Sequence, residues 1–160
     1  MNKTTIFFDM DNTLIDRMEA AKLTYRHILK YSNIPDEDHD VVFNTMWSMD
    51  DNGEYPKVKI FEKIASEYHF DDQWVKNMTD LWFVTLPEYT IVFEKTISTL
   101  KQLKSRYKIG MITNGSFVMQ SRKIEVANFS YLFDAIVIAA STTKGNVSKA
   151  LSATTVAKES

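Results

Sequence analysis

The chain has 160 residues, no cysteine and a formal net charge of -2, with 44% hydrophobic and 25% charged residues. That length holds one ordinary domain or a small core with an inserted lobe, and the composition suits a chain that buries a core. The lack of cysteine excludes thiol nucleophiles, Cys-ligated zinc and disulfides. The scattered Lys and Arg give neither the basic stripe of a nucleic-acid binder nor the polybasic run of a membrane-surface segment.

The first apolar run, Thr4–Asp9, is broken by Asp9 and Asp11, too early for the core of a secretory leader, and no apolar run reaches the length of a bilayer span. A cytoplasmic setting is therefore expected. Thr4–Asp9, Lys108–Thr113 and Asp134–Ala140 each read as a short strand apolar at consecutive positions, the pattern of strands covered on both faces of a parallel sheet. Helical spacing appears in Met18, Ala21, Tyr25 and Ile28, then in Val58, Phe61, Ala65 and Tyr68, and later in Ile97, Leu100 and Leu103. Turn signals fall at Asn33–Pro35, Asp50–Gly53 and Pro87. The stretch between the first two strands holds all three tryptophans (Trp47, Trp74, Trp82) and is too long for one crossover. The expected architecture is α/β, with a discontinuous core over residues 1–16 and 89–140 and a helical insertion over residues 17–88. Residues 141–160 turn rich in Ser, Thr, Ala and Lys and read as a polar, solvated tail.

The first strand ends in Asp9-Met10-Asp11-Asn12-Thr13-Leu14-Ile15-Asp16. In parallel α/β sheets, ligands bind at the carboxyl ends of strands. A carboxylate there can attack phosphorus and form an aspartyl-phosphate, while a second acid protonates the leaving oxygen and later activates water. Mg2+ suits such a site, because it takes hard oxygen ligands and lets an anionic nucleophile approach an anionic substrate. Asp residues at a strand end also cap turns, and a DxD pair alone carries no more than that. A calcium loop would need Gly and Glu where Leu14 and Ala20 stand, so that reading fails. Further on, Ile112-Thr113-Asn114-Gly115-Ser116 places a hydroxyl and a Gly turn before a helix, which suits a phosphate but equally an ordinary strand-to-helix turn with Ser116 as cap.

Taken together, FFDMDNTLID and KIGMITNGS resemble motifs one and two of the haloacid dehalogenase superfamily, and Gln120, Arg122 and Lys123 fit the TNG…Q…K pattern of its small-molecule phosphatase and nucleotidase branches. The resemblance implies a Rossmann-like core with a parallel sheet and an inserted all-α cap. Asp9 would be the nucleophile and Asp11 the general acid/base, both would bind Mg2+ (Asp11 through its main-chain carbonyl), and Thr113 and Asn114 would bind phosphate. A second Asp in motif one points to phosphoryl transfer and away from dehalogenation. Trp47, Met46, Met49 and Tyr55 would lie in the cap, more often as core than against substrate. His27, His39 and His69 show no metal-ligating pattern, and Asp50-Asp51 and Asp71-Asp72 read as turns or helix starts.

The resemblance covers residues 1–140 and then departs from the family. The third-motif lysine has its nearest match in Lys149, within Val147-Ser148-Lys149-Ala150, which lacks the usual Pro; a tail lysine is the competing reading. The acidic fourth motif has no counterpart, since Glu159 is the one acid after Ala140. A C-terminally truncated or frame-shifted chain is therefore expected, with weak Mg2+ affinity and a bare edge on the first strand open to self-association. The expected function is Mg2+-dependent hydrolysis of a small phosphorylated metabolite such as a sugar phosphate, phosphoglycolate or a nucleotide. The alternatives are a phosphomutase, or an impaired chain that binds a phosphate ligand or a partner without turnover.

Overall fold

The structure is a computed structural model that describes residues 4–139. Its chain forms two compact units: Met18–Tyr89, and the segments that flank it in sequence.

The flanking segments build a three-stranded parallel sheet in the order β1-β2-β3, from β1 (Thr5–Phe8), β2 (Lys108–Asn114) and β3 (Ala135–Ala139). Phe8 pairs with Met111, and Asn114 with Ala139, so all three strands present their carboxyl ends at one edge of the sheet. The central strand carries the apolar run IGMI, and Ile109, Met111 and Thr113 are each at most 1% exposed. Gly110 lies opposite Phe7, whose ring occupies the space a Cβ would need, 2.5 Å from Cε1. Helix α5 (Thr96–Lys104) precedes β2 and α6 (Phe117–Val126) follows it. Leu100, Ile124, Phe129, Leu132 and Phe133 close with Met10, Leu14 and Ile15 on one core. Asp134 ties β3 to β2, accepting from the Ile109 N–H at 2.8 Å while its own N–H donates to the Ile109 carbonyl. Among the described residues β1 pairs with β2 alone.

The strands differ from the sequence expectation at their ends. Asp9 lies one residue beyond β1, β2 runs on to Asn114, and Asp134 precedes β3 rather than opening it. The reason is local: the chain turns sharply after Phe8, as described below, whereas Asn114 still finds a partner on β3.

The second unit is helical: α1 (Arg17–Leu29, entering from the sheet unit), α2 (His39–Met49), α3 (Lys57–Tyr68) and α4 (Asp72–Thr85), with short 3-10 turns at Asp36–Asp38, Asp51–Gly53 and Leu86–Tyr89. Tyr25, Ile28, Met46, Ile60, Phe61, Ile64 and Trp82 are among its fully buried side chains. Trp74 lies in the same core with its ring parallel to that of Phe70, and its indole N–H donates to the Ser32 carbonyl at 2.7 Å. Asp71 starts α4 as a cap, accepting from the Trp74 N–H at 2.9 Å, which satisfies an amide the helix leaves orphaned. His69 ends α3 in the left-handed region, and His27 and His39 serve as hydrogen-bond partners of Tyr89 and of the Ile34 carbonyl.

Asp50 corrects the expectation of a simple turn. Its neighbours Asp51 and Asn52 do form the turn, both with positive φ (46° and 52°). Asp50 itself is 1% exposed and accepts from Tyr25 Oη at 2.8 Å and from the buried Lys57 ammonium at 2.5 Å. Lys57 also donates to the Tyr55 carbonyl and lies 5.3 Å from the Trp82 ring centroid. A buried ion pair repays its desolvation only when the remaining hydrogen bonds are made, as here. Removing one partner strands the other. Lys57→Met is therefore expected to cost about 3–5 kcal/mol, with much of the loss recovered by Asp50→Asn in the same chain, read by chemical denaturation.

Candidate active site

Motif one folds as a tight turn nailed to the core on both sides. Met10 is fully buried, and its carbonyl accepts from the amides of Thr13, Leu14 and Ile15 at 2.9–3.3 Å. The Asn12 amide donates to the Ile15 carbonyl at 2.9 Å, and Asn12 takes a positive φ of 59°, a conformation Asn tolerates better than most residues. The segment after the helical unit fixes the far side. The Asp16 amide donates to the Ile91 carbonyl, the Phe93 amide to the Leu14 carbonyl, and the Thr96 hydroxyl to the same Leu14 carbonyl. With Met10, Leu14 and Ile15 turned inward, Asp9 is left exposed and Asp11 half-buried.

Helix α6 supplies the other half. The Lys123 side chain is buried, and its ammonium donates to both carboxylate oxygens of Asp11, at 2.8 Å to Oδ1 and 3.0 Å to Oδ2. The Gln120 carboxamide nitrogen lies 3.0 Å from Asp11 Oδ2, 2.9 Å from the Asn114 carbonyl and 2.6 Å from Thr113 Oγ1. A carboxylate and a carbonyl only accept, so they fix the amide nitrogen, rather than its oxygen, at this point. Gly115 makes room for it. Gly115 has φ of 138°, and a Cβ there would stand 3.2 Å from Gln120 Cγ. Ser116 is the N-cap residue of α6, its carbonyl accepting from the Gln120 N–H at 2.9 Å, but its side chain makes no cap bond.

Charge sets the character of the site. Partial desolvation, and then the negative charge of Asp11, push the Asp9 carboxyl above the usual carboxylate range, against the opposing pull of the Met10 N–H and of Lys123. Burial lowers the Lys123 ammonium from its ordinary value, Asp11 opposes that most strongly, and Arg17 adds a like charge. Perturbed ionisable groups gathered at strand ends are a common mark of a reaction site.

The structure thus brings Asp9, Asp11 and Thr113 to one strand-end cluster. Thr113 is 1% exposed and accepts from Gln120, whereas Asn114 is exposed and contributes its main-chain carbonyl to Gln120. Lys149 lies outside the described residues. Gln120 and Lys123 stood out in the sequence only as matches to a pattern, without a role. The usable signal was their spacing: three residues apart, they share a face of one helix.

The Asp9 shift has a thermodynamic consequence. Its folded-state pKa lies above the unfolded value, so the ionised carboxylate weakens the fold at neutral pH, and that penalty fades as pH falls through the folded pKa. In EDTA, Asp9→Asn is expected to raise the melting temperature at pH 7, with a gain that shrinks as pH approaches the ordinary carboxylate value; a thermal melt at each pH checks it.

Comparison with known proteins follows this geometry. The sequence profile of haloacid dehalogenase-like hydrolases matches residues 6–160. No curated protein matches the sequence. Among solved structures, the chain resembles YfnB of Bacillus subtilis, assigned as a HAD hydrolase and determined bound to magnesium, with TM-score 0.62 and 18% identity over 86% of this chain and 64% of that one. It resembles a Clostridium difficile protein assigned as a phosphatase, with TM-score 0.61 and 17% identity over 96% of this chain and 69% of the other. It also resembles a predicted phosphoglycolate phosphatase of Haemophilus somnus, with TM-score 0.57 and 17% identity over 86% and 62%. The chain therefore spans just under two thirds of the length of YfnB. With an α/β core around a parallel sheet, and a profile match over nearly its whole length, the chain belongs to the haloacid dehalogenase-like hydrolases.

Proposed function

We propose that this chain is a phosphohydrolase of a small phosphate monoester, with Asp9 as nucleophile and Asp11 as general acid/base. The observation that carries the reading is the pairing at one strand end of an exposed carboxylate, Asp9, with a second carboxylate, Asp11, held from behind by Lys123 and Gln120. An Asp9 oxygen would bond to phosphorus as the ester P–O bond breaks, and Asp11 would give its proton to the departing oxygen. In the second step Asp11 would take a proton from water, whose oxygen attacks the same phosphorus and frees the Asp9 carboxylate. Thr113 and Asn114 would face the phosphoryl oxygens, and Lys149 would add a cation.

The residues present fit a largely hydrated Mg2+. Among the described residues no three acidic or histidine side chains gather as a cage. The exposed Asp9 carboxylate and the Asp11 main-chain carbonyl would hold the ion, with water supplying its remaining oxygen ligands. When bound, it offsets the negative charge of nucleophile and phosphate as they meet. Relatives assigned as phosphatases, one of them predicted to act on phosphoglycolate, support a small phosphorylated metabolite such as a sugar phosphate, phosphoglycolate or a nucleotide. A second reading, a protein that binds phosphate ligands without turning them over, is supported by the lack, among the described residues, of a third acidic or histidine side chain beside Asp9 and Asp11.

Hydrolysis of an aryl phosphate, with Mg2+ and with EDTA, separates the two. The expected result is metal-dependent release of phosphate that Asp9→Asn abolishes. Folded protein without turnover, stabilised by inorganic phosphate, would overturn the enzymatic reading and support binding alone.

A further inference from the structure

We infer that Lys123 is the positioning cation of Asp11, seated by Gln120 and Gly115, and that α6 thereby supplies the positive charge that the paired carboxylates of motif one need. The inference rests on the phosphohydrolase reading above, and it gives a named function to a helix that the reaction scheme otherwise leaves idle.

Four observations carry it. The Lys123 side chain is 5% exposed, too buried for a surface ion pair, while that of Asp11 is 24% exposed, so the pair opens to solvent on the carboxylate side. Its ammonium reaches both Asp11 oxygens, which fixes the plane of the carboxylate as well as its place. Gln120 adds a third donor to the same carboxylate and, through the Asn114 carbonyl and Thr113 Oγ1, locks that carboxylate to the end of β2. Gly115 is the residue whose missing Cβ admits Gln120 to this position. Three hydrogen bonds from two side chains, Lys123 and Gln120, converge on one half-exposed carboxylate from a single helix turn. A second lysine–aspartate pair lies in the helical unit, Asp50 with Lys57, but there both partners are closed off. The opening on the Asp11 side is what makes the Lys123 pair an arrangement for chemistry. Lys123 does not touch the position of the reacting phosphorus in this scheme. It acts through Asp11, which it must hold at the angle from which a proton passes to the departing oxygen and is then taken from water.

The test compares wild type, Asp11→Asn, Lys123→Met, Lys123→Arg, Gln120→Leu and the Asp11→Asn/Lys123→Met double variant, each checked for folding by circular dichroism. In the kinetic arm, with aryl phosphate and Mg2+, Lys123→Met is expected to lower kcat by about 100-fold with KM within about threefold, and Gln120→Leu by about tenfold. Lys123→Arg, which keeps the charge and can grip a carboxylate with two N–H groups, should restore about tenfold of the loss. The double variant should be no slower than Asp11→Asn alone, because Lys123 works through Asp11. Effects that multiply, or an unchanged kcat in Lys123→Met, overturn the inference. In the binding arm, calorimetric titration with Mg2+ alone should show tighter binding by Lys123→Met than by wild type, since a repelling cation beside the carboxylates is gone. Unchanged, weaker or undetectable binding overturns it. A folded wild type without turnover refutes the phosphohydrolase reading, and the binding arm then decides the charge assignment by itself.

Discussion

One buried ammonium standing against two neighbouring carboxylates is the constraint around which the sheet unit is arranged. Asp9 and Asp11 are two residues apart on a turn that the core holds rigid, so their charges cannot separate. Partial burial first, and then the negative charge of Asp11, raise the cost of ionising Asp9. A compensating cation must come from elsewhere in the chain, and it must be buried to act at full strength. Lys123 meets both conditions across 112 residues of sequence. Helix α6 has to dock with this face toward motif one, and the turn before it has to be tight enough to bring Gln120 underneath. The glycine at 115 and the parallel pairing of β2 with β3 are the parts that let it do so.

The same physical device recurs in the helical unit with the opposite outcome. Asp50 and Lys57 are shut away beside Tyr25 and Trp82, with the Tyr25 hydroxyl donating to Asp50 and the Lys57 ammonium donating to Asp50 and to the Tyr55 carbonyl. Such a pair specifies how α2 and α3 meet and cannot be reached by a ligand. Asp11 and Lys123 pair differently: the ammonium reaches both carboxylate oxygens, and the carboxylate end stays open.

Family membership and site geometry speak to different questions. The profile match and the fold likeness establish a haloacid dehalogenase-like hydrolase with an α/β core, and relatives below 20% identity carry no further than fold. The chemistry argued for this chain depends on its own residues: an exposed nucleophile candidate, a second carboxylate gripped from behind, and a buried amide joining the ends of β1 and β2.

Much was legible in the sequence because the signals were local. Consecutive apolar residues in IGMI announced a doubly covered strand, helical spacing announced α1, α3 and α5, and FFDMDNTLID placed two carboxylates at a strand end. Asp71 read correctly as a helix start because a cap needs only its own next turn. Asp50 does open a turn, its carbonyl accepting from the Gly53 N–H, but its burial was not legible, because its partners Tyr25 and Lys57 come from other helices and burial is a property of the whole packing. Lys123 gave the same difficulty. Its spacing from Gln120 was visible, but the charge it faces lies 112 residues away. The sequence by itself determined which elements form and where the acids of motif one stand, since those follow from periodicity and nearest neighbours. The tertiary structure alone decided which cation answers them, since that depends on how a parallel sheet brings the ends of distant strands level.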